Sequence, residues 1–227
     1  MSKAKTQGFD ISKNSAAVIG CGGLGCNVAV HLAGAGIGKL KLIDFDTVSE
    51  SNLNRQFLYA VSDYGKPKAE TAAAKLKNYA PDIEITAVNQ KITDGSVPQI
   101  LKDCDIIFLA VDNNAVRSVM QGFCAEHNIA LVNGGINCFV GNAYLYIPHK
   151  TPCLDCAGLT GKETENIFSV STTAGIIGAL QAELGIKFLL GSTDEAGILH
   201  IYDNGEINKL KIKPQVDCGC CGVNKNV

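Results

Sequence analysis

Arginine is nearly missing from this chain of 227 residues: it occurs at Arg55 and Arg117 and nowhere else. Any forked recognition of an anion must use one of these two side chains. Long apolar runs are missing as well. The most apolar helical stretch, Gly175 to Leu190, carries Gln181, Glu183 and Lys187, and is too short and too charged to span a membrane. The opening MSKAKTQGFD has no apolar core and does not read as a signal peptide. Charge of one sign is not in excess: a net charge of -2 leaves no basic footprint for nucleic acid. No HExxH motif and no Ser–His–Asp order is visible, and His31, His127, His149 and His200 each read as packing or surface residues. There is no internal repeat and no low-complexity segment. A composition 46% apolar and 19% charged belongs to a globular protein. These absences predict a cytoplasmic chain with neither a membrane nor a nucleic-acid partner.

Cysteine, by contrast, is abundant, with ten residues. In a cytosolic chain that points to metal or catalysis before disulfides. Cys21, Cys26, Cys104, Cys124 and Cys138 are scattered through apolar segments and read as small core residues. Cys153-x-x-Cys156 and Cys218-x-x-Cys221 are different: two such pairs match a structural Zn²⁺ site of four thiolates. A disulfide or a redox pair is the alternative. Cys220 can replace a neighbour as ligand or stay a free thiol. Four thiolates leave no open coordination position, which assigns the metal to structure.

The chain is organised around Ala16 to Asp46, which reads as strand, glycine turn, helix, strand. Ala17-Val18-Ile19 is the short apolar run of a strand buried on both faces. Gly20, Gly22, Gly23 and Gly25 make a G-x-G-x-x-G-type turn, and a helix follows to about Ala35 with Leu24, Val28 and Leu32 on one face. Lys39 to Ile43 is a second strand, ending in Asp44 and Asp46. Glycines let backbone approach a phosphate, and the helix start presents free N–H groups to it. Asp44, at the tip of the second strand, is placed to accept bonds from ribose hydroxyls. The unit predicts an adenine nucleotide without separating NAD, FAD and ATP; a packing turn with no ligand is the plain alternative.

Residues 1–15 are polar and read as a loose arm, and the whole chain as one domain. After the nucleotide unit, residues 47 to 70 form a polar link longer than a plain βαβ connection needs, which suggests a task. Then come a helix over Ala69 to Tyr79, a strand over Glu84 to Val88, a helix near Ser96 to Lys102 and a buried strand over Asp105 to Val111. Asp112-Asn113-Asn114 stands at its carboxyl end, where open α/β sheets place binding groups. A helix over Ala115 to His127 and a strand over Ile129 to Asn133, ended by Gly134-Gly135, complete a parallel, doubly wound half. Beyond residue 140 the pattern changes. Asn142 to Ile147, Leu199 to Tyr202 and Lys209 to Lys213 are strand-like, the last two joined by a hairpin signal at Asp203-Asn204-Gly205. The expected fold is a Rossmann-like α/β sheet, parallel at first, continued by antiparallel strands. Between them lie the first cysteine pair, a polar stretch over Gly161 to Glu165 and the Gly175 to Leu190 helix.

Asp112, at a strand end near the predicted nucleotide, suits Mg²⁺, which takes oxygen ligands. Arg55 and Lys68 sit in the long link after Asp44. Two cations and a metal facing phosphates are what phosphoryl or nucleotidyl transfer uses against developing charge; solvated surface charges are the plain alternative.

The segments GCGGLG, IDFDTVSESNLNRQ, GKPKAE, AVDNNAVR, the two CxxC pairs and TAGIIGALQA occur in the order seen in the ThiF/MoeB/HesA family, bacterial relatives of ubiquitin-activating enzymes, and the chain resembles that family from about residue 14 to 222. The resemblance implies Mg-ATP, a ubiquitin-like carrier ending in Gly-Gly, and adenylation of its C-terminal carboxylate, in a homodimer. It implies that Gly20, Gly22, Gly23 and Gly25 cradle the nucleotide and that Asp44 binds ribose. Asn52, Arg55 and Lys68 would contact phosphates and Asp112 would hold Mg²⁺. Asp46 and Asn113 count with the nucleotide-binding residues, and Cys153, Cys156, Cys218 and Cys221 with zinc. Two features depart from the family pattern. Val170 to Gly175 carries no cysteine where some members have a reactive one, and no arginine precedes Arg55. A nucleotide-binding module without turnover and an NAD-dependent oxidoreductase are the rival readings.

Overall fold

The structure is a computed structural model that describes residues 9–93, 95, 97–161 and 168–221. In chain order the elements are β1 (Ser15–Ile19), α1 (Gly23–Ala35), β2 (Lys39–Ile43), α2 (Lys68–Tyr79), β3 (Glu84–Val88), α3 (Val97–Leu101), β4 (Ile106–Leu109) and α4 (Asn114–His127). They continue with β5 (Ala130–Asn137), β6 (Val140–Tyr146), α5 (Ser171–Leu189), β7 (Ile198–Asp203) and β8 (Glu206–Lys211). One eight-stranded sheet has the order β3-β2-β1-β4-β5-β6-β7-β8. Strands β1 to β5 pair in parallel and β5 to β8 antiparallel, as the change of pattern near residue 140 predicts. The order reverses between β1 and β4, so the carboxyl ends of these strands open a crevice at a topological switch point.

Each strand sends alternate side chains to opposite faces. Val18, Leu40, Leu42, Phe108 and Val132 pack with α1, α2 and Leu184 of α5. Ala17, Ile19, Ile107, Leu109 and Leu131 pack on the other face with Met120 and Phe123 of α4 and with Cys153 and Leu154. Burying such a leucine or isoleucine contributes roughly 1.5–3 kcal/mol relative to leaving it exposed.

Several expectations change in detail. Residues 1–8 of the expected arm lie outside the described residues, but Ile11 within it is 2% exposed and belongs to the core, so the loose segment does not reach residue 15. Strand β5 runs through Gly134-Gly135 instead of ending there. A side chain at Gly134 would meet the Gln181 carboxamide of α5 at 2.2 Å, so that glycine serves close packing and not a turn. Cys21, Cys26, Cys104 and Cys124 are buried as expected, whereas Cys138 is exposed at the tip of the β5–β6 hairpin, with φ of 51°. The β7–β8 turn does follow the hairpin signal: Asn204 and Gly205 both have positive φ, 48° and 106°. Helix α3 is short, Ser96 lies outside the described residues, and so does the expected polar stretch from residue 162 onward. No helix among the described residues is long and apolar enough to cross a membrane.

Candidate nucleotide site and cysteine cluster

The crevice at the carboxyl ends of β1, β2 and β4 holds a cleft of about 460 Å³. Its floor is the turn between β1 and α1. Gly20 has φ of 90° and a side chain there would stand 2.5 Å from the Ala110 carbonyl oxygen; one at Gly25 would stand 1.8 Å from the Gly20 oxygen. Only glycine lets the turn close this tightly. Gly22 is the N-cap of α1 and offers no side-chain cap, and no acidic residue occupies the first helical turn. The helix start therefore keeps unpaired donors and positive potential on the cleft.

Asp44 braces the turn. One carboxylate oxygen accepts from the Cys21 N–H at 2.7 Å and the other from the Asp46 N–H at 2.8 Å. Burial pushes its carboxyl up, while the two N–H bonds and nearby Lys68 pull it down. The Cys21 and Cys26 thiols are also pushed up by burial, Cys26 to about 12, so neither is a ready nucleophile.

The long link from β2 to α2 folds back over the turn. Asn52 is buried and its side-chain oxygen accepts from the Ser49 N–H, closing a tight turn. Three residues on, the Arg55 side chain lies against Gly23, while Nη1 donates to the Ser51 carbonyl and to Asn54 Oδ1. Tyr59, buried, donates from its hydroxyl to the carbonyl oxygens of Cys21 and Lys68, tying the link to the turn and to α2. Lys68 opens α2 and its ammonium pairs with Asp46 at 3.1 Å. Asp112 is exposed beyond the end of β4, and Asn113 caps α4 by accepting from the Val116 N–H.

The structure thus gathers Gly20, Gly22, Gly23, Asp44, Asp46, Asn52, Arg55, Lys68, Asp112 and Asn113 on one cleft. Gly25 lies just behind it, buried. An exposed carboxylate on a cleft that a helix start, Arg55 and Lys68 also line fits Mg²⁺, which is held by one or two carboxylates plus substrate phosphates.

Two further wall residues, Gln56 and Arg117, had no assigned role in the predicted site. Gln56 is 2% exposed, and its Oε1 is buried without a hydrogen-bond partner. Its sequence signal is its place at the end of the segment IDFDTVSESNLNRQ. Arg117 donates to the carbonyls of Val111, Gly134 and Leu159 and to Asn114 Oδ1, with no partner for its Nε among the described residues. It clamps the end of β4 to β5 and to the segment that follows the first cysteine pair.

That pair meets the second on the α4 side of the sheet. The Sγ atoms of Cys153 and Cys218 are 3.4 Å apart, those of Cys156 and Cys221 3.4 Å, and those of Cys218 and Cys221 3.9 Å. Zinc at about 2.3 Å from each of four sulfurs sets them roughly 3.8 Å apart. The Cys153 N–H points at Cys221 Sγ and the Gln215 N–H at Cys156 Sγ, donors that favour thiolate. The donor set therefore fits zinc, and no disulfide joins the two pairs. Cys220 groups instead with Cys153 and Asp155. Beneath the cluster, Gln121 of α4 donates to Asp155 and accepts from the Leu154 N–H, seating this segment on the core.

Comparison with known proteins adds four similarities. The sequence model of the ThiF family matches residues 4–220. Molybdopterin-synthase adenylyltransferase of Escherichia coli K12 is 34% identical over 230 residues, covering 95% of this chain and 92% of that protein. Sulfur carrier protein ThiS adenylyltransferase of the same organism is 32% identical over 212 residues, covering 90% and 84%. Among solved structures, E. coli MccB with MccA-N7isoASN superposes with a TM-score of 0.82 at 25% identity, over 93% of this chain and 68% of that one.

Proposed function

The chain belongs to the ThiF family, and on that premise we propose that it uses ATP to adenylate the C-terminal carboxylate of a ubiquitin-like sulfur-carrier protein ending in Gly-Gly. The observation that carries the reading is the convergence of an uncapped helix start, Asp44, Arg55, Lys68 and Asp112 on one cleft. Two of the relatives are named as adenylyltransferases, one of them for a sulfur carrier protein. An oxidoreductase would leave the two cations on the phosphate side without a role.

The chemistry follows from the groups present. Asp44 accepts from the ribose hydroxyls. The phosphates lie over the turn of Gly20, Gly22, Gly23 and Gly25, against the start of α1, with Asn52, Arg55 and Lys68 around them and Asn113 at the rim. The carrier carboxylate, already ionised at neutral pH, needs no general base. Its oxygen bonds to the α-phosphorus while the bond from that phosphorus to the pyrophosphate oxygen breaks, giving an acyl adenylate and pyrophosphate. Arg55 and Lys68 oppose the charge that builds on the leaving group, and alignment in the cleft supplies the rest. Asp112 would hold Mg²⁺, which neutralises phosphate charge when bound. Cys153, Cys156, Cys218 and Cys221 would hold a structural Zn²⁺ with no open position for substrate. The same reading includes a single domain, a cytoplasmic location and a homodimer; the exposed Phe57 and Val61 on the link support pairing of copies.

The test is ATP–pyrophosphate exchange with a small carrier protein ending in Gly-Gly. Exchange that needs the intact Gly-Gly terminus is expected. Binding of NAD in place of ATP, or no exchange with any such carrier, overturns the reading.

A further inference from the structure

Lys68 occupies an awkward place for a cation. It is the first residue of α2, where aligned peptide dipoles make the potential positive, and its side chain is only 8% exposed. A charge buried there requires a partner. Asp46 provides it twice over. Its Oδ2 lies 3.1 Å from Lys68 Nζ, and its carbonyl oxygen accepts from the Lys68 N–H at 2.9 Å. Asp46 is itself held by its own N–H, which donates to Asp44 Oδ1. A chain of contacts thus runs from the ribose-side carboxylate through Asp46 to the ammonium, with all three residues on the cleft wall. The Asp46 side chain is 52% exposed, so its charge is not needed to fill the core.

We infer that Asp46 is a positioning residue that acts through Lys68. It takes one of the three ammonium N–H donors and fixes the nitrogen on the phosphate side of the cleft, leaving two donors for the nucleotide. This rests on the reading in which Lys68 contacts the nucleotide phosphates. A direct contact of Asp46 with nucleotide or metal is the competing role.

The experiment is a double-mutant cycle on the full-length protein, read by calorimetric titration of Mg-ATP and by pyrophosphate exchange. Asp46→Asn is expected to weaken Mg-ATP binding and raise the KM for ATP about tenfold, with kcat at saturation changed less than about threefold, the loss of one hydrogen bond between charged groups. Asp46→Glu restores most of the affinity. In a Lys68→Met background, Asp46→Asn has no further effect, because the residue through which it acts is gone. Equal losses in both backgrounds would mean that Asp46 touches the ligand directly and would overturn the inference. So would unchanged or tighter Mg-ATP binding by Asp46→Asn. Melting of each variant without nucleotide separates a folding defect from lost positioning. A wild-type protein that binds no Mg-ATP overturns the proposed function together with this inference; one that binds normally, beside an Asp46→Asn variant that binds equally well, overturns the inference alone.

Discussion

The cleft and the cysteine cluster are assembled in different ways. The floor and about half of the lining of the cleft come from residues 19 to 68, whose turn is fixed by local contacts: Gly25 against Gly20, and Asp44 against the N–H groups of Cys21 and Asp46. The cluster joins residues 65 apart, through sulfurs of which only Cys153 is fully buried. Around its C-terminal half the residues from Lys213 to Asp217 are exposed or half-buried, so little apolar packing holds the tail in place. The floor of one site is thus preformed by the covalent neighbourhood of its parts, and the other site depends on what bridges its sulfurs. Substitutions should therefore fail differently in the two regions.

The largest effect is expected at the cluster. Cys153→Ser removes the buried thiol that meets Cys218 of the other pair, and under the proposed zinc site it should lower unfolding stability by about 4 kcal/mol and leave the protein without zinc. Metal analysis of the untagged protein with a denaturant titration reads both, and a protein that keeps its stability without zinc breaks the contrast. Gly25→Ala comes next. A methyl 1.8 Å from the Gly20 oxygen forces the turn open, and a loss of roughly 3 kcal/mol is expected. By comparison Gly122→Ala, in α4 with nothing within 4 Å of the added carbon, should gain about 0.5–1 kcal/mol. Equal effects of the two would mean that the turn is not preformed. Asp112→Ala should cut pyrophosphate exchange about 100-fold with the melting temperature nearly unchanged, since Asp112 is exposed and acts on Arg117 through charge; unchanged exchange would remove it from the site.

The smallest effect is acid sensitivity of the link over the cleft. Asp63 pairs with Lys75, accepts from the Ala60 N–H and pairs with Lys66, which together lower its carboxyl from 3.8 to about 2. A depressed carboxyl contributes stability that is complete above pH 4 and disappears as pH falls through about 2. Wild-type stability should therefore fall more steeply between pH 4 and 2 than that of Asp63→Asn, measured by denaturant titration across that range. Parallel curves would mean that these pairs do not hold the link.

Much of the fold was legible because its signals are local. The strand–turn–helix–strand unit, the β7–β8 hairpin at Asn204-Gly205 and the paired cysteines each follow from patterns a few residues long. Some misreadings came from residues whose sequence signal has two meanings. Gly134-Gly135 looks like a stop and is a point of close packing under Gln181. Cys138 looks like the other apolar cysteines and stands exposed at a hairpin tip. Gln56 closes a segment quoted for the family resemblance, but its burial was not legible, since it depends on the link folding over the turn.

By itself the amino-acid sequence determined the kinds of element, the glycine turn with its carboxylate, and the spacing of the four thiols, because backbone sterics and side-chain periodicity act within a few residues. Only the tertiary structure decided that β4 lies beside β1, that Asp112 therefore lines one cleft with Arg55 and Lys68, and that Asp46 is the partner of Lys68. Those contacts join distant parts of the chain, and packing of the whole sheet against its helices selects them.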